Sequence, residues 1–176
     1  MSDAAHNGVA NRAVDFFRRV LDGIDQVVAL LIIVAMAGMV VVVATQVYLR
    51  YALNLSLDWA DEISRLLFVW SIFLAIPLGI KRGSHVGIEL LTNQLPRGFR
   101  DRLFRFMNVL AIVLMAVVAW QAGVLTHDQW DEPMSTLDIS VGFFMLPLLI
   151  GAVHSVLHLL AGVIAGVPAK APAVTE

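Results

Sequence analysis

Charged residues are absent from four stretches of the chain, 26–49, 66–80, 106–127 and 139–169. Each reads as one membrane-crossing helix, since about 20 helical residues span the hydrocarbon of a bilayer. The second stretch is too short by itself, so its helix must take in the turn from residue 60. The fourth is longer than a crossing needs; Gly166 and Pro168 are expected to end it, and the surplus can tilt. The predicted spans are 26–49, 60–80, 104–127 and 139–165, within a membrane domain over 26–166. An N-terminal arm (1–25) precedes that domain, and a disordered tail (167–176) follows it. Pro77 and Pro147 fall inside spans two and four and predict kinks, because each removes a backbone donor. Between spans two and three, Ile88, Leu91 and Leu95 share a helical face beside Glu89, Thr92 and Gln94, which predicts a short helix lying at the membrane surface. The fold class is therefore all-α, an integral membrane protein with four transmembrane helices and one interfacial helix.

Composition supports a lipid environment. Hydrophobic residues make up 59% of the chain and charged residues 15%, against about a quarter charged in soluble domains. The polar arm before the first span lacks a clear cleavage site, so that span is expected to be a retained anchor and not a signal peptide. The chain has no cysteine, which excludes disulfides and thiolate metal sites. Lys and Arg give the direction. Arg12, Arg18 and Arg19 lie before span one; Lys81, Arg82, Arg97, Arg100, Arg102 and Arg105 lie between spans two and three; Lys170 follows span four. The link between spans three and four has none of these, and carries Asp128, Asp131, Glu132 and Asp138. Both termini are expected in the cytoplasm, with the two acidic links outside. Trp59 and Trp130 then sit in the outer aromatic belt.

Candidate chemistry is sparse. The central parts of spans one to three hold no ionisable residue, whereas ion-coupled carriers place carboxylates or broken helices near the midplane. His154 and His158 share one face of span four. Imidazoles there suit a metal or haem, but no carboxylate is expected at their depth, and packing in a helix interface with local hydrogen bonds is the favoured reading. Gly151 and Ser155 beside them allow close helix approach, as does the small-residue side of span three, formed by Ala116, Ala119, Ala122 and Gly123. At the outer border, Arg65 can pair with Asp61 or Glu62 along one helix, and Arg50 can meet Glu62 across the short link. That set reads either as an ion-pair clasp between spans one and two or as a docking surface. The inner basic residues read as anchors to anionic lipid. Trp70, away from both borders, is expected against lipid or another protein helix. Nothing combines a nucleophile and a base in a cleft, so no catalytic residue, metal ligand or cofactor site is assigned, and no enzyme or nucleic-acid binder is expected.

The ordered pattern Arg50-Tyr51, Asn54, Trp59, Glu62, Arg65, the apolar run with Phe68 and Trp70, then Arg82-Gly83, His85, Glu89 and Leu95-Pro96 resembles the small membrane subunit, DctQ-like, of tripartite ATP-independent periplasmic (TRAP) transporters. It departs from the family's pattern at Ala75-Ile76-Pro77, where a small residue is common, and at Ser84, where an acid is common. The resemblance implies a four-helix scaffold beside a large DctM-like permease subunit, served by a periplasmic DctP-like substrate-binding protein, for sodium-driven uptake of an organic acid. The large subunit would hold the substrate and sodium sites. Arg50, Trp59, Glu62, Arg65, Trp70, Arg82, His85 and Glu89 then become candidates for assembly. Asp58, Asp61, Asp128, Asp131 and Glu132 become candidates for docking the binding protein. Two alternatives stay open on the residues alone: a haem-bearing anchor of a respiratory enzyme, resting on His154 and His158, and a small autonomous exporter.

Overall fold

A computed structural model describes residues 2–81 and 97–164, with side chains described for 16–81, 102–103 and 105–163. The predicted surface helix at 88–95 lies outside the described residues, as do Arg82, His85 and Glu89. Four helices are present among the described residues: α1 (Ser2–Ala52), α2 (Asp58–Lys81), α3 (Arg97–Asp128) and α4 (Gly142–Ile164). Each contains a segment long and apolar enough to cross a membrane. The charge-free windows mark the apolar centres of these helices and not their ends: α1 is continuous from residue 2 through the expected arm, and α3 begins at residue 97.

The α1–α2 turn is short and locally determined. Leu53 and Leu55 both donate their N–H to the Leu49 carbonyl, each at 3.1 Å. Asn54 between them takes φ 52°, a left-handed conformation that Asn tolerates better than most residues. Asp58 and Asp61 occupy the first turn of α2, where carboxylates complement the helix dipole.

Helix neighbours follow the order α1, α2, α4, α3. Contacts are extensive for α1 with α2, α2 with α4 and α4 with α3, while α1 meets α4 over a short stretch only. Lipid tails are as apolar as leucine, so nothing expels these helices from lipid onto one another; close backbone approach and polar contacts must hold them. Both are visible. Among the described side chains of α1, Leu21, Asp25, Val28 and Ala35 are buried, and their spacing puts them on one stripe. In α4, Pro147, Gly151, Ser155 and Leu159 are buried at four-residue intervals. Gly151 lies directly against the Phe73 carbonyl of α2, in space that a Cβ would need. Ser155, fully buried, donates to the Gly151 carbonyl at 2.7 Å, and Ser71 and Thr126 bond back to Leu67 and Ala122 in the same way. These hydroxyls are satisfied within their own helices, so they add small volume to the interface without orphaned polar atoms.

The α3–α4 link is folded and not a free loop. Met134 N–H donates to Ile139 O and Val141 N–H to Glu132 O, both at 2.8 Å, forming a small antiparallel turn closed around Pro133 and Ser140. Trp130 stacks on Phe143 at 5.7 Å between ring centroids and crowds Gly142.

Candidate functional site

Two polar clusters join the helices, one at each end. The first is built on Glu62. Its side chain is buried beneath the α3–α4 turn and accepts from Ser135 N–H (2.9 Å), Thr136 N–H (3.1 Å) and the Thr136 hydroxyl (2.5 Å). A carboxylate takes several donors from a turn because its two oxygens offer up to four lone-pair directions. The expected ion-pair clasp of Glu62 with Arg50 or Arg65 is not what forms. No carboxylate lies within 4.0 Å of either arginine among the described residues. The turn's backbone donors occupy Glu62, and Arg65 lies over the Phe144 ring at 5.4 Å. Helices α1 and α2 are joined at this end by a neutral donor, Gln46 Nε2 to Asp61 Oδ1 at 3.0 Å. Trp70 also turns inward, donating its indole N–H to Phe143 O at 3.0 Å; the partner helix it packs on is its own α4. A groove of about 470 Å³ opens beside the cluster, between Glu62, Arg65 and Phe73 of α2, Met134 of the turn, and Phe144 and Leu148 of α4.

Glu62→Gln is expected to loosen the turn, because an amide presents a donor where a second acceptor oxygen stood. Amide exchange at Ser135 and Thr136 should become roughly tenfold faster, the scale of losing a charge-assisted hydrogen bond. Unchanged exchange at both amides would show that the carboxylate does not hold the turn.

The second cluster lies toward the opposite end. Asp25 of α1 receives His158 Nε2 at 2.8 Å and His154 Nε2 at 3.0 Å on Oδ1, and Lys81 Nζ at 2.5 Å on Oδ2. Lys81 also pairs with Asp22 at 2.5 Å. Asp25, His154 and His158 are nearly excluded from solvent, with side-chain exposures of 9%, 5% and 7%. Two expectations are corrected here. A carboxylate does stand beside the histidines, because α1 extends helically past the edge of its apolar window and carries Asp25 onto its buried stripe. Lys81 is held by Asp22 and Asp25 and is not free for lipid headgroups. The haem reading also fails on geometry: His154 and His158 stand one turn apart on one helix, with both Nε2 atoms directed at the same oxygen, and cannot take opposite faces of one porphyrin.

Asp25 could have been found by counting register. Helices α1 and α2 are antiparallel about the turn at 53–57, so residues equally far from it share a depth, and Asp25 and Lys81 nearly do. The remaining predicted residues are at the surface. Arg50, Asp58, Trp59, Asp61, Asp128, Asp131 and Glu132 are all exposed; Asp58 is met by the Ser56 hydroxyl at 3.3 Å. The end of the bundle that carries the α1–α2 and α3–α4 links thus presents a row of accessible carboxylates. Exposed apolar side chains cover the outer sides of α1 and α3, among them Tyr48, Phe106, Val113 and Trp120, the last at 75%.

Comparison with known proteins points one way. Residues 39–168 match the family described as the DctQ component of tripartite ATP-independent periplasmic transporters. A putative TRAP transporter small permease protein of Haemophilus influenzae is 26% identical over 137 residues, 78% of this chain and 83% of that protein. The sialic acid TRAP transporter small permease protein SiaQ of Vibrio cholerae is 28% identical over 141 residues, 79% of each chain. The isethionate TRAP transporter permease protein DctMQ of Oleidesulfovibrio alaskensis is 28% identical over 97 residues, 53% of this chain but only 15% of that much longer protein.

Proposed function

This chain belongs to the DctQ component family of tripartite ATP-independent periplasmic transporters, and from that premise we propose that it scaffolds a large permease subunit and helps dock a periplasmic substrate-binding protein. It is a multi-pass membrane protein, the small permease subunit of a TRAP transporter, and not an enzyme. Its place is the bacterial inner membrane with both termini in the cytoplasm, as the basic inner link and acidic outer links favour. The transporter it serves takes up an organic acid driven by sodium.

The observation that carries the scaffold reading is the row of helices. Outer helix α3 packs extensively on α4 alone, and α1 mainly on α2, so both turn broad apolar faces away from the fold. Such faces suit lipid on one side and a larger membrane protein on the other. The match to a small part of a longer permease protein supports the same adjacency. Co-expression with a DctM-like subunit, followed by affinity purification on that subunit, should recover this chain in the complex; elution of the two as separate species would refute the scaffold role.

For docking, the supporting feature is charge. Asp128, Asp131 and Glu132 form an accessible acidic rim on the outer link, able to steer a basic patch on a binding protein. Replacing all three by lysine is expected to slow association of the binding protein about tenfold, with the difference shrinking at high salt, while the two permease subunits still co-purify. Equal association rates at low salt would remove these residues from the docking surface.

A further inference from the structure

We propose that Asp25, His154 and His158 form a binding site for one divalent transition-metal ion of the zinc class, which staples α1 to α4. The three ligand atoms already converge. Asp25 Oδ1, His154 Nε2 and His158 Nε2 form a triangle with edges of 2.8, 3.0 and 3.1 Å. An ion bound tetrahedrally by nitrogen and oxygen at about 2.0–2.1 Å spaces its ligands by about 3.3 Å. The triangle therefore needs to open by only a few tenths of an ångström to seat an ion above its plane, with a fourth position left for water. The histidines are at i and i+4 on one helix, a spacing that presents two imidazoles to one ion. The carboxylate comes from a different helix, so the ion would cross-link elements whose direct contact is otherwise short.

The surrounding charges are compatible with a dication. Lys81 is on the other carboxylate oxygen, Oδ2, and shares its charge with Asp22, which leaves Oδ1 to the ion. With neutral imidazoles, two carboxylates and one ammonium, the cluster carries one net negative charge. His154 Nδ1 is buried without a partner among the described residues. It is a lone acceptor if Nε2 holds the ring proton and a lone donor if Nε2 holds the metal, so metal binding orphans no additional atom. Two imidazoles and one carboxylate select zinc, copper, nickel or iron over magnesium and calcium, which take all-oxygen shells.

The test uses the tag-free full chain in detergent, stripped with a chelator and titrated with zinc chloride. The expected result is one zinc bound per chain, an X-ray absorption spectrum with nitrogen and oxygen neighbours at about 2.0–2.1 Å plus imidazole outer-shell scattering, and a raised thermal midpoint. His158→Ala should weaken zinc by at least about 100-fold, more than the loss of a supporting outer-shell group, while His127→Ala on the outer link leaves affinity unchanged. Less than one zinc per chain, a spectrum without imidazole scattering, or equal affinity in His158→Ala would each overturn the site. The spectrum of the unsubstituted chain decides the matter even where the variant fails to fold, and none of these outcomes bears on the role of the subunit in transport.

Discussion

Gly151→Ala is expected to cause a large loss of fold stability for a very small change in composition. The new methyl group would clash with the Phe73 carbonyl oxygen, and that contact is backbone, with no rotamer to turn aside. Helices α2 and α4 must separate, and the packing between them and the seating of the α3–α4 turn on Glu62 separate with them. Overpacking of this kind costs about 1–3 kcal/mol, and Gly151→Leu should prevent recovery of folded protein. Two other glycines supply controls in the same molecule, since Gly23 and Gly162 have nothing within 4 Å of a Cβ. Alanine at either should leave the thermal midpoint in detergent unchanged or slightly raised, because alanine is the better helix former. A midpoint for Gly151→Ala equal to that of Gly162→Ala would show that α2 and α4 do not approach as closely as described.

Asp25→Ala is expected to destabilise by about 3 kcal/mol, toward the lower end of what removing one partner of a buried ion pair costs. The lower end applies because Lys81 is 41% exposed and can recover some hydration. The substitution leaves His154 and His158, with Nε2 atoms 3.1 Å apart, only each other to hydrogen-bond among the described residues, and it removes the polar link from α1 to α4. Asp22→Ala is the matched control. Asp22 contacts the same ammonium at the same distance but is 58% exposed, so its loss should cost at most about 1 kcal/mol. Chemical denaturation of both variants gives the comparison; equal shifts would mean that burial of Asp25 contributes nothing and that the cluster behaves as a surface pair.

Much of the architecture was legible in the residues because a bilayer simplifies the problem. A charge at its centre is so expensive that span positions follow from where Asp, Glu, Lys and Arg are missing. Asn54 at the α1–α2 turn and Gly151 within α4 could be read in the same way, one for its tolerance of a left-handed backbone and the other for its size. The candidate site was only partly legible. Glu62 and Arg65 stood out as charged residues at a membrane border and Trp70 as an aromatic away from both borders, but local spacing suggested partners for Glu62 and Arg65 on α2 and at the end of α1, and none for Trp70 within the chain. Their real partners, Thr136, the Phe144 ring and the Phe143 carbonyl, are more than seventy residues away. Pairing rules at i, i+3 and i, i+4 see only neighbours on the same helix, so they favour an Arg65–Glu62 pair and miss a turn that folds back over the carboxylate.

Asp25 shows the same limit at the other end. A window that stops at the first charge places it at the border, whereas α1 continues as helix and puts it on the stripe that faces α2 and α4. The residues by themselves determined that this is a four-helix membrane protein, where its apolar centres lie and which surfaces are charged, because transfer into lipid depends on the chemistry of each segment taken alone. Only the tertiary structure decided that Glu62 anchors the α3–α4 turn and that Asp25, Lys81, His154 and His158 are one cluster. Those assignments depend on which helix lies beside which, and on their relative register, and in lipid these are set by close packing and the need to satisfy polar groups, not by hydrophobicity.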